Sequence, residues 1–207
     1  MNQSTHNDDC RIKNARFVKG IRGEDLILQE SVPQIVFAGR SNVGKSSTLN
    51  KLLGQKIARI SSTPGKTQEI NFFSIEGGTA YVVDLPGYGY AKMNGKQAES
   101  MRKQMIWYLG SSKAPIALLC LVIDIRRGLG GLDRDLLDIA SGEAIPVLIV
   151  ANKVDKCNQK ERTAAERKLE ADLESHPGII QGVIAFSAET GRGRNTLCEV
   201  IQSIYAV

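Results

Sequence analysis

The sequence predicts one α/β domain in which helices cover both faces of a mostly parallel sheet. Short β-branched and apolar runs alternate with longer segments whose apolar residues recur every three or four positions. Such alternation favours a parallel sheet, because each helix returns the chain across a face of the sheet to the start of the next strand. The length of 207 residues suffices for one full core and leaves little for a second.

The pattern predicts six strands and five helices. The expected strands are 35–38, 70–75, 80–83, 116–123, 146–150 and 182–186. The expected helices are 45–54, 96–109, 132–141, 159–174 and 194–205. Only residues 76–79 separate the second and third strands, which is too short for a helical crossover and suits a hairpin. We therefore expect one antiparallel edge strand in the sheet.

Composition narrows the class of protein. Hydrophobic residues make up 42% of the chain and charged residues 24%, as in soluble globular proteins. No apolar run approaches the roughly 20 residues that span a bilayer, and the polar N-terminus does not resemble a secretory signal. We therefore expect no membrane partner and a cytoplasmic location. Residues 1–14 read as a flexible, partly basic arm, and residues 15–207 as the single domain.

The cysteines give no sign of a metal site. Cys10, Cys120, Cys157 and Cys198 are scattered, with no CxxC pair. A zinc site and a disulfide framework are both unexpected, and Cys120 and Cys198 lie in apolar patterns that predict buried thiols.

A glycine-rich loop predicts phosphate binding. Residues 39–46, GRSNVGKS, fit GxxxxGK[ST], follow the strand QIVFA and open a helix. Glycines let several backbone N–H groups point at a phosphate, and the helix start adds partial positive charge. Lys45 would neutralise the β- and γ-phosphates, and the Ser46 hydroxyl would bind Mg²⁺. The alternative is a glycine-rich turn that matches by chance.

Three further segments, each following a predicted strand, indicate which nucleotide is bound. Residues 84–87, DLPG, would place a carboxylate near Mg²⁺ and a glycine amide near the γ-phosphate. In NKVD, residues 152–155, the aspartate can accept hydrogen bonds from guanine N1–H and the exocyclic amino group, which adenine lacks. Ser187-Ala188 would bring a backbone amide to the guanine O6. The order favours GTP, and an ATP-using enzyme is the weaker alternative.

The segments GRSNVGKSS, TPGKTQEINFF, DLPGYGYAK, NKVD and SAETG together resemble the EngB (YihA/YsxC) family of translation-factor-class GTPases, in the TrmE-Era-EngA-EngB-Septin-like group. The resemblance covers roughly residues 15–207. It implies a Ras-like sheet, Mg²⁺-dependent GTP hydrolysis, and a role in large ribosomal subunit assembly and in normal cell division and septation. One departure is Asn152, where the family often carries Thr. Asn is the general GTPase choice, so guanine specificity is not put in doubt.

These arguments define a full set of expected site residues. The expected nucleotide-binding residues are Gly39, Arg40, Ser41, Asn42, Val43, Gly44, Lys45, Ser46, Ser47, Gly65, Lys66, Thr67, Asp84, Leu85, Pro86, Gly87, Asn152, Lys153, Asp155, Ser187 and Ala188. The expected metal ligands are Ser46, Thr67 and Asp84. The expected catalytic residues are Lys45, Thr67, Gly87 and Asn42.

Two segments have the composition of switches. Residues 61–68 are small and polar, and the resemblance makes Thr67 the residue that caps Mg²⁺ and senses the γ-phosphate. An ordinary loop before a strand is the alternative. In the second segment, residues 87–92, Tyr88 stands where many GTPases place the glutamine that orients the attacking water. Slow intrinsic hydrolysis follows, with the missing group supplied by a partner, another loop or a cation.

The resemblance makes Asn42 a candidate for binding that cation, K⁺, since related GTPases use an asparagine at this position. The alternative is that Asn42 only hydrogen-bonds the loop.

A net charge of +5 is compatible with an RNA partner without being diagnostic. Basic residues collect near the N-terminus, around the first switch and before the last helix: Arg11, Lys13, Arg16, Lys19, Arg22, Lys51, Lys56, Arg59, Lys66, Arg192 and Arg194. Contact with ribosomal RNA and a merely solvated surface are the two interpretations. A switch on the large ribosomal subunit is the leading hypothesis, a GTP-binding module acting on cell-division proteins is the alternative, and a monomer is expected.

Overall fold

The computed structural model describes residues 10–57, 69–89 and 95–206. Its strands are Arg16–Ile21 (β1), Gln34–Gly39 (β2), Ile70–Ile75 (β3), Ala80–Asp84 (β4), Ile116–Asp124 (β5), Val147–Asn152 (β6) and Ile180–Ala185 (β7). Its helices are Lys45–Leu53 (α1), Gly95–Gly110 (α2), Gly131–Gly142 (α3), Gln159–Leu173 (α4) and Arg194–Tyr205 (α5). The predicted α/β class, its five helices and its six strands are all confirmed, with a seventh strand added.

The strands form one sheet in the order β1-β3-β4-β2-β5-β6-β7. Strands β4, β2, β5, β6 and β7 pair in parallel, so their carboxyl ends meet at one rim. Strand β3 is antiparallel to both of its neighbours, as the short β3–β4 connection predicts. The rim at the carboxyl ends is where ligands bind in sheets of this kind.

The expectation that the sheet has six strands, with the antiparallel strand at its edge, is wrong because β1 is a seventh strand. This strand pairs with β3 from Arg16 to Ile21, so β3 is internal and β1 forms the edge. Its sequence, RFVKGI, lacks the apolar alternation of a strand because Phe17 and Val18 are exposed and only Ile21 is buried. Exposed edge strands commonly carry lysines and other charged residues, so periodicity alone does not reveal them.

Two apolar layers cover the two faces of the sheet. Helices α2, α3 and α4 contribute buried residues to one layer, among them Tyr108, Leu137 and Leu169. Helices α1 and α5 contribute to the other, among them Leu52 and Ile201. Within the described ranges, no helix is both long enough and apolar enough to cross a membrane.

The expectations that the chain has no disulfide and that Cys198 is a free thiol are wrong. Cys10 is joined to Cys198 of α5 by a disulfide, although the two are 188 residues apart in sequence. Neighbouring Ile12 and Ala15 are buried against the same layer as α5, which brings Cys10 to the helix. Sequence spacing could not show this contact. The part of the predicted 1–14 arm that the structure describes, residues 10–14, is therefore packed in place, and the domain boundaries stay predictions.

Candidate nucleotide-binding site

The predicted phosphate loop connects β2 to α1. Gly44, the N-cap of α1, has a φ of 98°, and a Cβ there would lie 2.3 Å from Nδ2 of Asn152. A side chain is therefore excluded both by the left-handed backbone and by the neighbouring amide. The cap offers no side-chain acceptor to the first N–H groups of α1, and no acidic residue lies in the first turn. Those N–H groups are thus left for a phosphate.

The strand β4 brings a carboxylate beside this loop. Asp84 ends β4, and its Oδ1 accepts a hydrogen bond from Nζ of Lys45 in a buried ion pair. Ser46 follows Lys45 in the first turn of α1. The Asp84 carboxylate and the Ser46 hydroxyl are hard oxygen donors on adjacent elements, a donor set that fits Mg²⁺ completed by phosphate oxygens and water. Bound Mg²⁺ would neutralise charge on the β- and γ-phosphates.

Two neighbouring side chains at the carboxyl end of β6 hold the phosphate loop in place. Asn152 Nδ2 donates to the Val43 carbonyl at 2.9 Å, and Lys153 Nζ donates to the Asn42 carbonyl at 2.6 Å. The Asn152 amide is buried, and its Oδ1 accepts from the Ala188 N–H at 3.2 Å. One amide therefore joins the phosphate loop to the segment after β7.

The predicted guanine-binding residues lie together. Ser187 Oγ donates to Oδ1 of Asp155 at 2.6 Å and accepts from the Thr190 N–H at 3.0 Å. The hydrogen bond from Ser187, opposed by partial burial and aided by Lys156, lowers the pKa of Asp155. The carboxylate therefore stays ionised at neutral pH and can accept hydrogen bonds from the two N–H donors on one edge of guanine.

Asp124, the last residue of β5, is a site residue that sequence reasoning missed. Its carboxylate is 2% exposed and lies 3.0 Å from Nζ of Lys153, while Arg126 donates to both oxygens at 2.9 and 2.6 Å. Burial acts to raise the pKa of Asp124, but the hydrogen bonds from Arg126 and Lys153 outweigh it and lower the pKa to about 2. Asp124 thus holds the lysine that braces the phosphate loop. Its position at the end of a parallel strand was the available signal.

The segment after Asp84 contacts the phosphate loop through its backbone. Ser41 Oγ donates to the Gly87 carbonyl at 3.2 Å, and the Ser41 N–H donates to the Tyr88 carbonyl at 2.6 Å. The Tyr88 side chain is buried and its hydroxyl donates to Asp133 of α3 at 2.6 Å. Tyr88 therefore cannot orient a water molecule as a glutamine would.

The structure brings together the expected residues that it describes and adds Asp124 to them. Those described are Gly39, Arg40, Ser41, Asn42, Val43, Gly44, Lys45, Ser46, Ser47, Asp84, Leu85, Pro86, Gly87, Asn152, Lys153, Asp155, Ser187 and Ala188. The side chains of Val43 and Leu85 belong to the apolar layers, so these two residues can face a nucleotide only through their backbone. Gly65, Lys66 and Thr67 lie outside the described residues.

A phosphate loop, a buried carboxylate beside it and an asparagine–aspartate pair on the same rim are typical of a GTP-binding P-loop domain. A family profile described as "50S ribosome-binding GTPase" matches residues 34–153. Proteins called "Probable GTP-binding protein EngB" are similar along most of their length. The protein from Desulfatibacillum aliphaticivorans is 40% identical over 92% of this chain and 91% of its own. The protein from Exiguobacterium sp. is 38% identical over 95% and 97%.

The chain belongs to the EngB family of GTP-binding proteins and is a GTPase. A crystal structure of a probable GTP-binding protein EngB covers 84% of this chain and 98% of its own, with a TM-score of 0.63 and 26% identity. The fold is shared more widely. Era from Aquifex aeolicus covers 83% of this chain and 56% of its own, with a TM-score of 0.61 and 22% identity.

Replacing Asp124 tests its support of Lys153. We expect Asp124→Asn to weaken the binding of GTP and GDP equally, by about tenfold, because a charge-assisted hydrogen bond to the bracing lysine is lost. Fluorescence titration with labelled nucleotides measures both affinities. Asp135→Asn is the control, since Asp135 pairs with Arg102 at an exposed position on α3 and should leave both affinities unchanged. An Asp124→Asn protein that binds as tightly as the wild type would contradict this role.

Proposed function

We propose that this GTPase is a switch that acts in assembly of the large ribosomal subunit, with a consequent role in normal cell division and septation. The observation that supports the proposal is the convergence of four loops on one rim, where the buried Asn152 amide joins the phosphate loop to the segment proposed to bind guanine. The family description, 50S ribosome-binding, supports the ribosomal partner. The protein would act as a cytoplasmic monomer.

The roles proposed for the site residues follow from their positions. Lys45 would leave Asp84 and bind the β- and γ-phosphates, while Ser46 and Asp84 would bind Mg²⁺. Gly87 would donate its backbone N–H to the γ-phosphate. Thr67 would complete the Mg²⁺ site and, with Gly65 and Lys66, form the first switch, which is released when the γ-phosphate is lost.

Hydrolysis would be slow without a further catalytic group, because Tyr88 is bound to α3. We propose that K⁺ supplies positive charge near the phosphates with the help of Asn42. The Asn42 side chain is exposed, its backbone has a φ of 68°, and it makes no side-chain hydrogen bond to the rest of the described chain. An amide oxygen in this state is available as a cation ligand.

The surface proposed for ribosomal RNA is the N-terminal basic segment, residues 11–16. Arg11, Lys13 and Arg16 are exposed and form no ion pair within the described part of the chain. The two basic residues that follow this segment form ion pairs, Lys19 with Asp25 and Arg22 with Glu69. Arg194 is likewise used internally, where it donates to the carbonyls of Cys10, Lys51 and Leu52.

A second candidate function is a GTP-binding module that acts on cell-division proteins without ribosome contact. The buried Tyr88 favours this candidate because a tyrosine hydrogen-bonded to Asp133 cannot orient the attacking water, so hydrolysis would be slow. A protein that hydrolyses GTP slowly can act through its GTP-bound state alone. Nucleotide-dependent binding to ribosomal subunits distinguishes the two.

Guanine recognition can be tested at Asp155. We expect Asp155→Asn to lower GTP affinity by about 100-fold, since two hydrogen bonds to a carboxylate are lost, while the already weak ATP affinity hardly changes. Calorimetric titration measures both. Lys156→Gln is the control, because it removes the exposed ion pair with Asp155 and leaves the carboxylate in place. Unchanged discrimination between GTP and ATP would contradict the assignment.

The role of K⁺ can be tested by comparing turnover in two salts. We expect the wild type to hydrolyse GTP about tenfold or more faster in K⁺ than in Na⁺, since a fixed charge stabilises the transition state. Asn42→Gly should remove the difference, because glycine adopts the same positive φ without strain and lacks the amide. Equal wild-type rates in the two salts would refute the cation proposal.

The ribosomal partner can be tested by co-sedimentation with large subunits. Binding should strengthen with a non-hydrolysable GTP analogue and weaken by about tenfold in the triple variant Arg11→Gln, Lys13→Gln and Arg16→Gln, since phosphate contacts are lost. A matched triple variant at the exposed α4 residues Lys160, Arg167 and Lys168 makes the same charge change elsewhere. Binding that ignores the nucleotide would favour the second candidate function, and equal losses in both variants would refute this surface.

A further inference from the structure

Tyr88 lies between the phosphate loop and helix α3 and is held at both ends. It follows Gly87, the glycine proposed to contact the γ-phosphate. Its ring and hydroxyl are buried, although the residue belongs to a segment that should respond to the nucleotide. Phenylalanine would fill the same space without a hydroxyl, so the hydrogen bond to a fully buried carboxylate is a feature beyond packing.

The side-chain end is anchored in the first turn of α3. The Tyr88 hydroxyl donates to Oδ1 of Asp133 at 2.6 Å, and Oδ2 of Asp133 accepts from the Gly130 N–H at 2.7 Å. Asp133 is completely buried, so the carboxylate is fixed by the N-terminus of α3 and has few alternative positions. Burial, together with the charge of Asp133, raises the pKa of Tyr88 well above its usual value. The phenol therefore remains a donor at neutral pH.

The backbone end is anchored on the phosphate loop. The Ser41 N–H donates to the Tyr88 carbonyl, and Ser41 Oγ donates to the Gly87 carbonyl. On the other side, the Leu85 N–H donates to the Phe37 carbonyl of β2 at 3.0 Å. The backbone is therefore held by hydrogen bonds on both sides of Gly87, at Leu85 before it and at Tyr88 after it.

We propose that Tyr88 is a positioning residue which, through Asp133, fixes the Gly87 N–H relative to the phosphate loop and thereby sets the preference for a third phosphate. The proposal rests on the proposed placement of Gly87 at the γ-phosphate. A fixed donor gains more from the γ-phosphate than a mobile one, because less conformational entropy is lost on binding. GDP lacks that phosphate, so its affinity does not depend on the anchor.

The test compares affinities for GDP and for a non-hydrolysable GTP analogue in the full chain with Mg²⁺. Tyr88→Phe retains the ring and removes the hydroxyl. We expect it to weaken binding of the GTP analogue by about tenfold, while GDP affinity changes less than about twofold. Asp133→Asn should act in the same direction, and the double variant should be no worse than Asp133→Asn alone, since the two residues act as one unit.

The matched control is Tyr108→Phe. Tyr108 lies in α2, away from the phosphate loop, and is also fully buried. Its hydroxyl donates to the buried side chain of Gln34, the first residue of β2. Tyr108→Phe should lower the thermal unfolding midpoint without changing the ratio of the affinities for the GTP analogue and for GDP. If Tyr108→Phe moves the ratio as far as Tyr88→Phe does, or if Tyr88→Phe weakens both nucleotides equally, the positioning role is refuted. Should Tyr88→Phe not fold, Asp133→Asn decides by the same ratio.

The backbone amide of Gly87 separates this inference from the proposed site. An alanine there would keep the N–H, so the amide is followed directly, by its NMR resonance in the full chain with Mg²⁺. We expect the Gly87 N–H resonance to shift with the GTP analogue and to shift much less with GDP. If it does so while Tyr88→Phe leaves the affinity ratio unchanged, the placement of Gly87 stands and the role of Tyr88 is refuted. If the resonance responds equally to the two nucleotides, the placement of Gly87 at the γ-phosphate fails, and the inference fails with it.

Discussion

The site depends on one buried amide. Asn152, at the end of β6, donates to the phosphate loop at Val43 and accepts from the segment after β7 at Ala188. Gly44 lacks a side chain because that amide occupies the space where a Cβ would lie. A polar group buried in this way is costly unless each of its atoms is satisfied, so the two loops hold each other in register. The phosphate loop and the segment proposed to bind the base consequently form a single structural unit.

Charge balance explains how the site can exist before a nucleotide binds. Lys45 and Asp84 are buried and paired with each other. Separating them is costly unless each gains a new partner, because an unpaired buried charge is strongly unfavourable. In the proposed site, a phosphate would be the new partner of Lys45 and Mg²⁺ would be the new partner of Asp84. The nucleotide and the metal are therefore expected to bind together, and Asp124 meanwhile keeps Lys153 in place against the loop.

Most of the fold and much of the site could be predicted because their signals are local. The runs that form β2, β5 and β6 are apolar except for a polar residue at one end of each, as buried parallel strands require. The glycines of GRSNVGKS likewise indicate a tightly curved backbone from the sequence alone. The missed features are the ones set by tertiary contact. The sequence of strand β1 lacks a buried apolar face because the strand lies at an edge of the sheet. The disulfide between Cys10 and Cys198 depends on the packing of the N-terminal segment against α5. Asp124 and Tyr88 acquire their roles only from partners, Lys153 and Asp133, that are distant in sequence.

The most direct test of this account is calorimetric titration of the full chain with GTP in the presence of Mg²⁺, followed by competition with ATP. We expect one binding site per chain, and we expect that ATP at about a thousandfold excess does not displace GTP, since a site built to hydrogen-bond its ligand discriminates by about 10⁴-fold. No heat on adding GTP, or displacement by an equal concentration of ATP, would contradict it.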